Sequence, residues 1–201
     1  MNPSLGEEDL SGNQLLRRLN TLASIEKLWV PATYPKGHVL FDQGNAPADV
    51  FILTRGLVKL FYVTPDGEEK IKSFIVNRGL FAAEHGLLPF GARTVEPSTV
   101  IRLPLSWVRG QLSNDMELQG AYSQFTDWIR QRKSKREQPL LCDSVTERFQ
   151  TMQKLEPDLI LRLSQDDVAR YLGITPIAFS RIKRRIEAGL QTHSVWAFAS
   201  P

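Results

Sequence analysis

Hydrophobic positions recur with changing period along this chain of 201 residues. Near the amino end Leu15, Leu16, Leu19, Leu22 and Ile25 recur at helical spacing, and Pro31 closes that segment. From Tyr34 the pattern shortens to apolar or alternating stretches: VLF, DVFILTRG, LVKLFYVTPDG, EEKIKSFIV and TVIRLP. Gly37, Gly44, Gly56, Gly67 and Gly79 punctuate them, most of them 11 or 12 residues apart, and Pro65-Asp66-Gly67 is a turn signal between two strands. Regularly spaced short strands predict a sandwich or barrel-like β domain of about a hundred residues.

After Pro104 the period is helical again. Leu118, Tyr122, Phe125, Ile129 and Arg132 fall on one face, with Ala121 and Trp128 beside them. The spacing predicts a helix over 114–137, interrupted at Pro139. A long helix between two folded units is a natural dimer seam, with Leu118, Tyr122, Phe125 and Ile129 as its contacts. The same stripe could pack on its own β domain, and the two roles can occupy two faces. Residues 144–155 read as another short helix, broken at Glu156-Pro157-Asp158.

The segment 164–186, SQDDVARYLGITPIAFSRIKRRI, predicts a helix, a tight turn and a second helix. Ser164 followed by Asp167 resembles a capping box with Asp in the place of Glu. Ala169 is small where two helices would cross, and Gly173 suits a left-handed helix end. Thr175 can cap the second helix and Pro176 fits its first turn. Val168, Leu172, Ile174, Phe179 and Ile182 are the expected small core. The outer face carries Ile177, Ser180, Arg181, Arg184 and Arg185. Such a unit places a helix in the major groove of duplex DNA.

Charge sharpens this picture. Net charge is +3, but RIKRR at 181–185 has four basic residues in five, and RQRKSKRE at 130–137 has five against one acid. The second run reads first as a solvated helix end, and second as extra phosphate contact or repulsion between protomers. The single cysteine, Cys142, rules out an internal disulfide framework and a cysteine-only metal set, and its apolar neighbours suggest a packed, inert thiol. The polar, acidic start is no signal peptide, and no apolar run approaches the ~20 residues of a membrane span. A cytoplasmic location is the default expectation. No nucleophile–base pair, metal-ligand spacing or phosphate loop is visible, so no catalytic residue, no metal site and no enzyme activity is expected.

The segments YPKGHVLFDQG (34–44), TRGLVKLFYVTPDGEE (54–69), RGLFAAEHGLL (78–88), EPSTVIRLP (96–104) and DDVARYLGITPIAFSRIKRRI (166–186), in that order, resemble the Crp/Fnr regulators, the family of the cyclic-AMP receptor protein and FNR. The resemblance is to a subgroup with a short tail after the recognition helix. It implies an α+β fold: a cyclic-nucleotide-binding-like sensor β-roll with an N-terminal helix over 1–113, a dimerisation helix over 114–138, and a helix-turn-helix DNA-binding domain over 139–201. It further implies a homodimeric, bacterial, sequence-specific transcription regulator, with double-stranded DNA and RNA polymerase as partners, controlled by an unidentified effector at the β-roll. Arg181 matches the family's base-reading arginine. Thr175, Ile177 and Ser180 are candidates for base or phosphate contact, and Lys183, Arg184 and Arg185 for phosphate contact. The rival readings are a ligand-binding module whose helix-turn-helix contacts protein, and a regulator that needs no effector.

The chain departs from that family at the effector site. The phosphate cassette has Ala83-Glu84-His85 where a Gly-Glu pair is usual, and Arg93-Thr94 matches the phosphate pair only with a gap. Glu84, His85, Arg93 and Thr94 are therefore the candidate effector pocket, with a cyclic nucleotide not the expected effector. The absent amino-terminal cysteines exclude an FNR-type iron–sulfur cluster. His38 and His85 read as ordinary turn residues before haem ligands.

Overall fold

Helix α1 (Gln14–Ile25) leads into eight strands: β1 (Pro31–Tyr34), β2 (Val39–Phe41), β3 (Asp49–Arg55), β4 (Leu57–Val63), β5 (Glu69–Val76), β6 (Gly79–Ala82), β7 (Gly91–Thr94) and β8 (Ser98–Pro104). The computed structural model describes residues 14–45, 47–83 and 89–196. The strands pair antiparallel in two four-stranded sheets, ordered β1-β8-β3-β6 and β2-β7-β4-β5. Alternation along each strand sends one set of side chains between the sheets. There Phe41, Phe51, Phe81 and Phe90 meet, the Phe51 and Phe81 rings stacking at 5.3 Å between centroids.

The β3–β4 turn shows why one of the periodic glycines is needed. Gly56 has φ +107°, and a Cβ there would lie 2.3 Å from Ser98 Oγ and 2.7 Å from the Ser98 backbone. Ser98 is itself buried, and its hydroxyl accepts from Leu57 N–H at 3.2 Å and donates to Glu96 O at 2.7 Å.

Helices follow the roll: α2 (Leu105–Asn114), α3 (Met116–Cys142), α4 (Val145–Leu155), α5 (Pro157–Arg162), α6 (Gln165–Tyr171) and α7 (Pro176–Trp196). Asp115 starts α3, its carboxylate accepting from Leu118 N–H at 3.0 Å and from Arg18 Nε at 2.9 Å. Helix α3 does not stop before Pro139, as the sequence predicted, but contains it and ends at Cys142. A proline forbids only its own N–H bond and crowds the preceding turn. The Pro139 carbonyl still accepts from Asp143 N–H at 3.0 Å, which closes a last turn. Cys142, in that turn, is exposed rather than packed. A capping box of Ser144 and Glu147 begins α4.

The helices bury their apolar stripes in two further clusters. Leu15, Leu19 and Ala23 of α1 pack with Val50, Ile101, Leu118 and Phe125. Ile25, expected in that stripe, is 74% exposed, because the stripe turns onto Ala23 as α1 ends. In the other cluster Leu57, Ile71 and Phe74 of the β2-β7-β4-β5 sheet pack with Phe149, Met152, Val168, Leu172 and Phe179 from the carboxy-terminal helices. The β2-β7-β4-β5 sheet and the helix-turn-helix thus share one core.

Candidate functional site

The helix-turn-helix is built as its residue pattern requires. Ser164 Oγ accepts from Asp167 N–H at 3.0 Å and donates to the Asp167 carboxylate at 2.8 Å. The carboxylate thus returns to the serine hydroxyl rather than to its backbone, so the box is only half of the usual reciprocal pair. Gly173 takes φ +78° between the helices, and Ile174 N–H bonds Ala169 O at 3.0 Å across the bend. Thr175 Oγ1 accepts from Ala178 N–H at 3.2 Å and starts α7 at Pro176. Val168, Ala169, Leu172 and Phe179 are buried, with Ile174 and Ile186 packed against them, and Phe149 meets Phe179 edge-on at 4.9 Å.

The opposite face of α7 is left outward. Ile177 is 69% exposed, and Arg181, Arg184 and Arg185 are exposed one and two helical turns on. Arg184 donates to Ser180 Oγ at 3.3 Å, and Lys183 lies 3.9 Å from Glu187. Arg181 and Arg185 make no ion pair or hydrogen bond among the described residues. Helix α7 continues past Ile186 to Trp196.

Ion pairs fasten this unit to the roll. Lys59 Nζ of β4 bridges Glu69 at 2.9 Å and Asp167 at 3.0 Å. Arg162 of α5 pairs with Glu96 at 2.6 Å and donates to Gly56 O at 2.9 Å. Burial pushes the Glu69 carboxyl up, but Lys59 and Arg93 together outweigh it and hold it below the usual glutamate range.

Of the candidate effector residues, Arg93 and Thr94 are described, and both are engaged within the roll. Arg93 pairs with Glu69 and lies over the Phe61 ring at 4.9 Å. Thr94 is 2% exposed, its hydroxyl accepting from His38 N–H at 2.9 Å and donating to Pro35 O at 2.6 Å. Thr94 thus serves the β2–β7 corner, while Arg93 ties β7 to β4 and β5. Glu84 and His85 lie outside the described residues. His38 stacks on Tyr34 at 4.6 Å between ring centroids.

A cavity of about 610 Å³ lies between β5, α3 and α4, lined also by Ala82 and Phe90 and reaching Tyr171 of α6. Its lining includes Tyr62, Lys72, Trp128, Arg132, Arg136 and Arg148. Neither Arg93 nor Thr94 lines it. Arg132 donates to Phe74 O at 3.2 Å, and one Arg136 nitrogen donates to Ile71 O at 2.8 Å and Tyr171 O at 3.0 Å. Arg148 donates to Asp143 O at 2.9 Å and Leu172 O at 3.0 Å, while its Nε is buried with no acceptor. Burial lowers the Arg136 pKa from the ordinary arginine value and raises that of Glu156 at the α4–α5 junction, although Arg132 and Arg136 draw Glu156 down.

The dimer-seam candidates divide as well. Leu118 and Phe125 are buried in their own protomer's core, Ile129 is partly buried against it, and Tyr122 is 46% exposed.

The comparisons with known proteins agree with this architecture. The family model "Cyclic nucleotide-binding domain" matches residues 31–115. FnrA of Stutzerimonas stutzeri, a transcriptional activator, is 25% identical over 166 residues, 76% of this chain and 68% of that one. FixK2 of Bradyrhizobium japonicum superposes with TM-score 0.68 at 20% identity, over 80% of this chain and 85% of that one. A Crp/Fnr-family protein of Eubacterium rectale gives TM-score 0.71 at 10% identity, over 89% and 85%. In sequence and in fold the chain is similar to transcription regulators of the Crp/Fnr type. Among its described residues no helix is long and apolar enough to cross a membrane.

The residue pattern missed two features of this structure. The ties Lys59–Asp167 and Arg162–Glu96 join residues 108 and 66 positions apart, and no local pattern announces them. The inward arginines could have been found. Arg132 and Arg136 stand four apart on the face that carries Trp128, inside a run otherwise read as solvated.

Proposed function

We propose that the chain binds duplex DNA sequence-specifically as a homodimer, laying α7 in the major groove. The observation that carries this reading is the outward Arg181 face of a capped helix whose other face is fixed in the shared core. Arg181 is positioned to read a guanine edge, where an arginine fork matches two acceptors. Ile177 offers apolar contact, as to a thymine methyl. Thr175 and Ser180 supply hydroxyls already held by capping and by Arg184. Lys183, Arg184 and Arg185 meet phosphates.

Dimerisation uses the outward side of α3. With Leu118 and Phe125 committed inside the protomer, Tyr122 is the candidate contact, joined by Ile129 at its edge. Control comes from a small molecule on the sensor side, and a cyclic nucleotide is disfavoured by the commitments of Arg93 and Thr94. Work as a cytoplasmic, non-enzymatic regulator that meets RNA polymerase is supported by a relative described as a transcriptional activator. Selection of random duplexes tests this reading. The expected product is a two-fold symmetric site whose binding weakens steeply with salt. Recovery of no preferred sequence would favour a helix-turn-helix that contacts protein.

A further inference from the structure

Arg132, Arg136 and Arg148 converge on the cavity between β5, α3 and α4, and their hydrogen bonds go to backbone carbonyls. None of the three has a carboxylate within 4 Å among the described residues. The Nε of Arg148 is a buried donor with nothing to accept from it. A buried or half-buried guanidinium without a counter-charge leaves a positive potential that solvent screens poorly. Two acids line the cavity: Glu137, which is exposed, and Glu156, whose carboxyl is driven toward its neutral form by burial. Lys72, Lys133 and Lys135 add further cations to the lining, and apolar and aromatic walls stand beside them. Trp128 lies under Arg132 at 5.3 Å, Tyr171 lies under Arg136 at 4.2 Å, and Met152 and Leu155 close the α4 side. A cavity of about 610 Å³ has the size of an ordinary small-molecule site.

We propose that this cavity binds an organic carboxylate with a flat apolar body. Its carboxylate would sit on the Arg132–Arg136 pair and its rings between Trp128 and the α4 wall. The inference rests on the effector-controlled reading and supplies its ligand class. It also supplies a route to the DNA-binding unit. Arg136 ties Ile71 of the sensor sheet and Tyr171 of α6 through one nitrogen, so an anion on its guanidinium competes with both carbonyls. Arginine forks engage carboxylates through paired hydrogen bonds that a neutral amide of the same shape does not receive.

The test is calorimetric titration of the full chain with 2-naphthoate and with its neutral isostere, naphthalene-2-carboxamide. The expected result is binding of naphthoate roughly tenfold or more tighter than the carboxamide. Arg132→Gln removes that preference and leaves the carboxamide unchanged, while Arg130→Gln on the outward side of α3 changes neither. Arg132→Lys, with folding checked by circular dichroism, keeps the charge and retains part of the preference, so a misfolded Gln variant does not decide the matter. Equal affinity for both probes, no naphthoate binding at millimolar concentration, or a preference indifferent to Arg132→Gln overturns the proposal. DNA binding measured on the same samples separates the two readings. Loss of sequence-specific DNA binding with naphthoate binding intact strikes the regulator reading alone.

Discussion

At the residue scale, two positions make opposite demands. Arg181 is exposed, so on the proposed DNA-binding reading Arg181→Ala should leave folding intact and weaken binding to the preferred duplex by about 1–3 kcal/mol, with specificity relaxed at one base pair per half-site. Fluorescence anisotropy against matched and mutated sites measures both effects. Glu156 is half-buried, and its raised pKa means the folded state favours the neutral acid. The sign follows. Ionisation above the ordinary glutamate range weakens the fold, and the penalty is absent in acid below that range. Glu156→Gln should therefore raise the melting temperature at neutral pH by roughly 2–4 °C, with the gain vanishing at acid pH. An unchanged melting curve at neutral pH contradicts that account. The outward residues of α7 were legible in the sequence because a helix period of 3.6 assigns each residue to a face. The burial of Glu156 was not, since it depends on helices packed around a junction that reads locally only as a break.

At the element scale, two left-handed glycines differ in their surroundings. Gly173 ends α6 in open space, and Gly56 turns against Ser98. Gly173→Ala should lose about 1–2 kcal/mol, the left-handed backbone penalty alone. Gly56→Ala should lose clearly more, because its Cβ meets backbone atoms that cannot give way. Urea unfolding of the two variants ranks them. Both turns were readable from sequence, since glycine spacing marks turns whatever lies nearby. Pro139 was misread for a physical reason. Its local rule predicts a break, but the last turn of α3 is retained by acceptance at the Pro139 carbonyl. Leu118 and Phe125 illustrate a different limit. A helical stripe says that a face is buried, and not whether its partner is the same chain or a second copy.

At the scale of the whole molecule, the sensor roll and the helix-turn-helix are one body through the cluster around Phe74 and Phe149 and the Lys59–Glu69–Asp167 bridge. Because the Glu69 pKa is held down, the stability it contributes is present above the ordinary glutamate range and is lost as pH falls through its lowered value. Acid unfolding should therefore start at higher pH in Lys59→Met than in wild type, and tryptophan fluorescence against pH follows it. The order of β-roll, long helix and helix-turn-helix was legible because each section has its own hydrophobic period. The pairing of β8 with β3, the ion pairs across units and the cavity between them are products of chain return, and no window of sequence contains them.

The central claim is that the outward face of α7 reads DNA. Its most direct measurement is binding of purified protein to duplexes enriched from a random pool, with wild type and Arg181→Ala compared across salt concentrations. The account predicts one two-fold symmetric motif, a steep loss of affinity with salt, and a variant that keeps non-specific binding while losing the preference. A pool that yields no motif, or a variant that discriminates sites as wild type does, contradicts it.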